Sequence, residues 1–316
     1  MGRGWIDTVR GSDAVELAGI IDLDRAAAEA ARPDPDVPVA TSLAELADTA
    51  DFVIDVTVPV AHYPVTTEAL RSGLPVLGEK PLAATMAEAV QLVEAAHSAE
   101  ELFVVSQNRR YDPQLFALKA AAERLGGVGI LTHEFFKAPH FGGSRDAMDH
   151  PLVLDMAIHN FDAARFLLDA EPVAVYCEEY NPAWSWYSGD AASTAIFEMT
   201  GGIRFIYTGS WCSPGLETAW NSVWRVSGRN GTARWDGESA PEVELVDESP
   251  DVPTPTCLPG LAGSLDAFVT ALRTGVAPMG EVADNLGSLA MVHAAIESAR
   301  TGTRVRIEDV IAAASG

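Results

Sequence analysis

Over the first 110 residues, short apolar runs alternate with alanine-rich or amphipathic stretches, and each change of period is marked by glycine, proline or a capping residue. Residues 15–22 are an apolar strand ending in an acid. Residues 24–32 read as a helix closed by Pro33. Ser42 to Glu45 has capping-box spacing and opens a short helix, and 52–57 is a second buried strand. A helix over 61–72 ends at Gly73, 75–78 is the third strand, Thr85 to Glu88 is another capping box, and 102–106 closes the series. Strands alternating with helices predict a parallel, doubly wound sheet joined by right-handed crossovers.

After Tyr111 the pattern changes, which sets domain boundaries of 1–110 and 111–316. A helix over 113–125 leads to an alternating strand over 128–136, a Gly- and His-containing loop over 137–150, and a helix over 152–168. Strands over 193–199 and 203–210, joined around Gly201-Gly202, suit an antiparallel sheet. Residues 242–256, acidic and proline-rich, read as an exposed loop; 265–272 and 285–300 read as helices. The expected class is α/β: a Rossmann-type sheet followed by an α/β domain with an open, largely antiparallel sheet.

Composition narrows the partners. With 316 residues the chain has room for two domains at roughly 150 residues each. A net charge of −24, with no run of basic residues, argues against nucleic acid and anionic membrane surfaces. No stretch approaches the roughly 20 apolar residues of a span, and no signal-peptide core opens the chain. Cys177, Cys212 and Cys257 suit free thiols in a reducing compartment, so a cytoplasmic protein is expected.

Two constellations carry chemistry. Gly78-Glu79-Lys80-Pro81 places a carboxylate and one of only three lysines at a strand exit, where doubly wound sheets bind ligands. A surface turn is the competing reading, since Lys-Pro pairs also mark turns, and only an X-Pro bond adopts cis cheaply, so a cis Lys80-Pro81 bond is expected. Asp155 and His159 stand four apart in one helix and share a face, where a carboxylate can orient an imidazole that takes a hydroxyl proton. A solvated helix-surface pair is the alternative. His133, His140, His150 and His159, with Asp149 and Asp155, raise a metal site as a rival, but no tight ligand spacing appears and no metal is expected.

With Glu79-Lys80-Pro81, Asn108-Arg109-Arg110-Tyr111, Asp155 to His159 continued by Asn160-Phe161-Asp162, and Ala294-Ala295-Ile296-Glu297-Ser298-Ala299-Arg300-Thr301-Gly302, the chain resembles the Gfo/Idh/MocA oxidoreductases over nearly its whole length. The resemblance implies an N-terminal Rossmann domain with tightly held NAD or NADP, and a C-terminal domain for substrate and oligomer contacts. It implies Lys80, Asp155 and His159 as the catalytic group: His159 accepts the proton, Asp155 orients it or anchors a substrate hydroxyl, and Lys80 stabilises developing alkoxide or itself exchanges the proton. It places Thr57, Val58, Pro59 and His62 beside the nicotinamide half, with Glu79 and Lys80 among the cofactor contacts. Pro59 and His62 are equally ordinary helix-entry residues, and Glu79 has a structural reading as a cap or ion pair. Asn108, Arg109 and Tyr111 are expected to line the substrate cleft, junction arginines otherwise serving to brace domains.

A Rossmann domain opens with a strand running into G-x-G-x-x-G. If Gly2 is the third glycine, Asp22 falls at the spacing expected for the adenosine ribose; the first strand and two glycines then precede Met1, and an upstream start is expected to encode them. The other reading of Gly2 and Gly4 is a flexible terminus. Asp22 favours NAD, because a carboxylate repels a 2′-phosphate, while Arg25 keeps NADP open. Six of the seven tryptophans lie between Trp184 and Trp235, as a stacking surface for sugar C–H faces or as core and subunit contacts. The expected protein is a homo-oligomeric (dimer or tetramer) NAD-preferring sugar or polyol dehydrogenase. An NAD-using glycosidase and a non-catalytic sugar-binding or scaffold relative with impaired nucleotide binding are the alternatives.

Overall fold

The computed structural model describes residues 1–247 and 256–316. Two compact units divide the chain, Met1–Tyr111 with Leu258–Leu286, and Asp112–Cys257 with Gly287–Gly316. The division near residue 111 follows the change of pattern. The return of 258–286 to the first unit does not, because an apolar helix face carries no label for the core it will cover.

In the first unit the order is α1 (Gly2–Arg10), β1 (Ile20–Ile21), α2 (Arg25–Ala31), β2 (Val39–Ala40), β3 (Val53–Asp55), α3 (Pro59–Arg71), β4 (Val76–Glu79), α4 (Met86–Ala99) and β5 (Phe103–Ser106). Local chemistry accounts for the helix starts. Asp24 accepts from the amides of Ala26 and Ala27, and the Thr85 hydroxyl accepts from Glu88 N while the Glu88 carboxylate accepts from Thr85 N. All strand pairs are parallel, β1 with β2 and β4 between β3 and β5.

The expected strand over 15–22 shrinks to Ile20–Ile21, because a strand persists only where a neighbour supplies a ladder. β1 and β3 lie in separate sheets, divided where the register expects a further strand. Val15, Leu17, Phe52, Ile54 and Val56 line this seam only partly buried, packed on Trp5 and Val9 of α1, Leu77, Val104, and Leu265, Phe268 and Val269 of the returning helix. The segment containing Gly2 and Gly4 is therefore helix, not a flexible terminus, and its apolar face is seated.

The second unit holds α5 (Pro113–Glu123), β6 (Val128–Phe136), a π-helical turn over Val153–Ala157 running into α6 (Ile158–Leu168), then β7 (Pro172–Tyr180), β8 (Ala192–Met199), β9 (Arg204–Ser210), β10 (Val223–Gly228), β11 (Gly231–Trp235) and β12 (Glu242–Leu245). After α7 (Gly260–Thr274) of the first unit, α8 (Val282–Thr301), β13 (Val305–Arg306) and α9 (Ile307–Ala314) end the chain. One sheet of order β12-β11-β10-β6-β9-β8-β7-β13 results, antiparallel except for the β6–β9 pair. Gly201 and Gly202, at φ 73° and 78°, make the β8–β9 link, a backbone region that favours glycine. α6 covers the inner face, Phe161 packing against Phe197, Phe205 and Tyr207.

Two expectations change here. Residues 242–245 form β12 rather than loop: Val243 and Leu245 alternate with glutamates, a period-2 pattern that the acidic composition masks. The rest of that expected loop, 248–255, lies outside the described residues. The tryptophans also divide, Trp211, Trp224 and Trp235 being buried while Trp184 and Trp220 are exposed. Among the described residues no helix is long and apolar enough to cross a membrane.

α7 approaches Tyr111 so closely that a Cβ on Gly263 would meet the Leu258 carbonyl oxygen and lie 2.7 Å from Tyr111 Cβ. Gly263→Ala is expected to lower stability by about 1–3 kcal/mol through overpacking. Chemical denaturation checks this, and an unchanged midpoint would rule the close approach out.

Candidate active-site residues

In the first unit the site is built on β4. All four of its residues are buried, and a Cβ on Gly78 would lie 3.0 Å from the Phe103 ring, so glycine lets β5 pack close. Glu79, 6% exposed, accepts a hydrogen bond at Oε1 from Trp5 Nε1 at 2.6 Å. Burial pushes the Glu79 carboxyl above its ordinary range, against the opposing pull of the Trp5 hydrogen bond and the Lys80 charge. Lys80 follows at the strand exit, and the Lys80-Pro81 bond is cis, as expected.

Beside it, the buried Asp55 ends β3. Its Oδ1 accepts from Thr57 N at 3.0 Å and Thr57 Oγ1 at 2.7 Å, and its Oδ2 from Thr66 Oγ1 at 2.9 Å. His62, on α3, has ring nitrogens 2.7 Å from the Pro81 carbonyl oxygen and 3.1 Å from that of Thr57. At 3% exposure it ties the turn after β3 to the turn after β4.

The first unit's residues fit a dinucleotide. The N-terminus of α1 has no side-chain cap, and a Cβ on Gly2 would touch only Val56 at 3.8 Å, leaving its amides available to a pyrophosphate. Asp22 follows β1, and its Oδ1 accepts from the Asp24 amide at 2.9 Å. Leu23 and Val58 are left 93% and 63% exposed, apolar surface of the kind that an adenine ring covers. Arg25 is engaged by Glu29 at 3.5 Å and by the Val39 carbonyl at 3.4 Å.

Asn108 and Arg109 lie half-buried in the 3-10 turn that follows β5. Tyr111, 7% exposed, donates to the Met279 carbonyl at 3.4 Å, and its own carbonyl accepts from Gly260 N at 2.8 Å. It serves as an anchor for α7.

The second unit carries Asp155 in the π-helical turn and His159 in the first turn of α6, 9% exposed. The expected helix over 152–168 is thus interrupted by a π-turn at the candidate residue Asp155. Arg145 Nε contacts Asp155 Oδ2 at 3.1 Å. Around them the loop before the helix meets 181–190: His140 stacks on Trp186 at 3.7 Å, the Tyr187 hydroxyl donates to the Pro139 carbonyl at 3.0 Å, and Ser188 N donates to the Asp146 carbonyl at 2.8 Å. Burial first, then the Asp146 carboxylate, pushes the Tyr187 hydroxyl up to about 12.

The other histidines scatter. His133 is fully buried, 4.3 Å from Trp224 and 5.0 Å from Tyr207, and burial pushes it down to about 3, so it stays neutral. His150 Nδ1 lies 3.0 Å from Glu179 Oε2. Among the described residues no group of three or more His, Cys, Asp or Glu side chains is placed to hold a metal ion. Trp5, Arg145 and the His150–Glu179 pair escape sequence reasoning, because each acts through a contact distant in the chain or across a loop.

These features define a dinucleotide-binding oxidoreductase, and the comparisons agree. The model of an oxidoreductase family with an NAD-binding Rossmann fold matches residues 2–107, and the GFO/IDH/MocA C-terminal domain matches 131–234. The chain belongs to the Gfo/Idh/MocA family. It is 25% identical to an inositol 2-dehydrogenase of Rhizobium meliloti (97% of this chain, 96% of that one) and 26% identical to a D-apiose dehydrogenase of Paraburkholderia graminis (99% and 88%). Its fold matches an oxidoreductase from Agrobacterium radiobacter in complex with NAD+, L-tartaric acid and magnesium (TM-score 0.85, 21% identity, 97% and 95% covered). It also matches the WlbA dehydrogenase from Bordetella pertussis in complex with NADH and UDP-GlcNAcA (0.83, 21%, 96% and 94%).

Burial, then the Asp190 carboxylate, pushes Glu179 from 4.5 up to about 8. The folded state holds this proton more tightly than the unfolded chain, so the contribution favours folding at low pH and is lost as pH rises from about 4.5 to about 8. Glu179→Gln, neutral throughout, is expected to lose less stability than wild type between about pH 5 and about pH 8. Parallel losses in denaturant titrations would count against a proton held by Glu179.

Proposed function

We propose that this oxidoreductase transfers a hydride between a hydroxyl of a sugar, cyclitol or related polyol and NAD, using Lys80, Asp155 and His159. The observation that carries the reading is the exit of β4: a central parallel strand buried to its last residue delivers Glu79 and Lys80 where open α/β sheets bind ligands. The inositol and apiose dehydrogenases among its relatives support a polyol hydroxyl as the reacting group.

The α1 amides, Asp22 and the Thr57-Val58-Pro59 turn would hold NAD, which when bound supplies the hydride acceptor. His159 takes the hydroxyl proton, as an imidazole within reach of that hydroxyl can. Asp155 holds the hydroxyl in line, and the Lys80 ammonium stabilises negative charge developing on the oxygen. Glu79 stays out of the proton transfer and orients the turn carrying Lys80 through its bond to Trp5. Exposed Tyr176 and Ile196 on the outer sheet face support a homo-oligomer.

Lys80→Met and His159→Ala are each expected to lower kcat by roughly 100-fold or more with a turned-over polyol, the scale of a lost general acid or base. Near-normal turnover by both would sink the assignment. Asp22→Ser is expected to raise kcat/KM for NADP relative to NAD, by relieving repulsion of the 2′-phosphate. An unaltered NADP/NAD ratio in steady-state assays would remove Asp22 from the ribose site.

A further inference from the structure

Arg145, in the loop before the π-turn, has no task in the catalytic scheme. Its guanidinium carbon lies 4.5 Å from the centroid of the Phe141 ring, and Phe141 stands edge-on to the buried Trp211 at 5.4 Å. One edge, at Nε, meets Asp155 Oδ2 at 3.1 Å. A ring beneath and a carboxylate at one edge hold the plane in place. Its terminal Nη donors have no hydrogen-bond partner among the described residues, and the side chain is 48% exposed. A half-exposed planar fork of donors, braced on an aromatic face, matches the bidentate geometry of a carboxylate.

Charge points the same way. Asp155 and, in the same loop, Asp146 and Asp149 already offer acceptors for the hydroxyls of a neutral polyol, so a guanidinium adds little to recognising one. A chain of net charge −24 repels anions at long range, so an anionic substrate group needs strong local donors, such as a guanidinium, to bind it. The other cation of this loop is committed: Lys137, 13% exposed, pairs with Glu217 at 3.1 Å over the Trp220 ring. Asp155, while held by Arg145, is the weaker acceptor for a substrate hydroxyl. A neutral substrate that draws Asp155 away leaves the guanidinium without its anion, whereas a substrate carboxylate takes that place.

We infer that Arg145 receives a carboxylate of the substrate, and that the polyol oxidised here is an acidic one, such as an aldonate, uronate or aldarate, with its carboxylate a few bonds from the reacting hydroxyl. The inference rests on the dehydrogenase reading for the role of Asp155. Binding of the acid releases Asp155 from Arg145, so recognition of the anionic end and preparation of the hydroxyl anchor are one event.

The test compares matched sets, an alditol with its aldonate and aldarate, for NAD reduction by wild type, Arg145→Lys and Arg145→Gln, with calorimetric titration of the aldarate into each protein in the presence of NAD. Wild type is expected to prefer the acids. Arg145→Gln is expected to lower kcat/KM for the acids by about 10- to 100-fold more than for the alditol, with Arg145→Lys between them because it keeps the charge and loses the fork. Calorimetric binding of the aldarate weakens in the same order. If the alditol reduces NAD while the acids neither react nor bind, or if Arg145→Gln affects all three equally, the inference is overturned and the dehydrogenase reading stands. If no member of the sets reduces NAD but aldarate binding depends on Arg145, the carboxylate receptor is supported and the dehydrogenase reading fails.

Discussion

A carboxylate buried at the end of a parallel strand requires a donor, and in the first unit that donor is the Trp5 indole, 2.6 Å from Glu79. Left unpaired at 6% exposure, the carboxyl would cost about 1–3 kcal/mol or more in lost solvation. The bond therefore fixes α1 against the exit of β4, and with it the spacing between the α1 amides and the turn carrying Lys80. Trp5 also buries its ring in the cluster formed by β4, β5 and α7. One side chain thus fills the seam between the separated sheets and satisfies the acid beside the candidate catalytic lysine.

The second unit solves a different problem. The loop over 137–150 carries Asp146 and Asp149 in an already anionic chain, and its two cations are supported on rings, Lys137 over Trp220 and Arg145 over Phe141. Aromatic faces hold a cation in place without neutralising it; Lys137 is neutralised by Glu217 instead, and Arg145 meets Asp155 at one edge only. The inner face of the sheet takes the opposite course: His133 and Glu179 are buried and hold their neutral forms.

Much of this was legible in the chain. The strand Val128–Phe136 alternates from Leu131 onward, and the Thr85 capping box places the start of α4. The cis Lys80-Pro81 bond follows from an X-Pro pair in a tight turn. Failures came where stability is supplied by partners distant in sequence. Residues 15–19 have strand composition but no ladder neighbour, and β12 pairs with β11 despite an acidic surround. The π-turn at Val153–Ala157 has no signature in hydrophobic period, because residues 152–158 are apolar all round but for Asp155 and offer no stripe whose phase could shift.

By itself, the sequence determined the alternation of strands and helices and the change of architecture after Tyr111, and it singled out Asp22, Lys80, Asp155 and His159 as candidates. These are local properties, set by side-chain period, capping and turn geometry. Tertiary structure alone decided that Trp5 would meet Glu79, that Arg145 would lie between Phe141 and Asp155, and that Tyr111 would anchor α7 instead of standing open. Such contacts depend on the distance between elements after packing. No pattern along the chain encodes that distance, because the same apolar face can close on any complementary core.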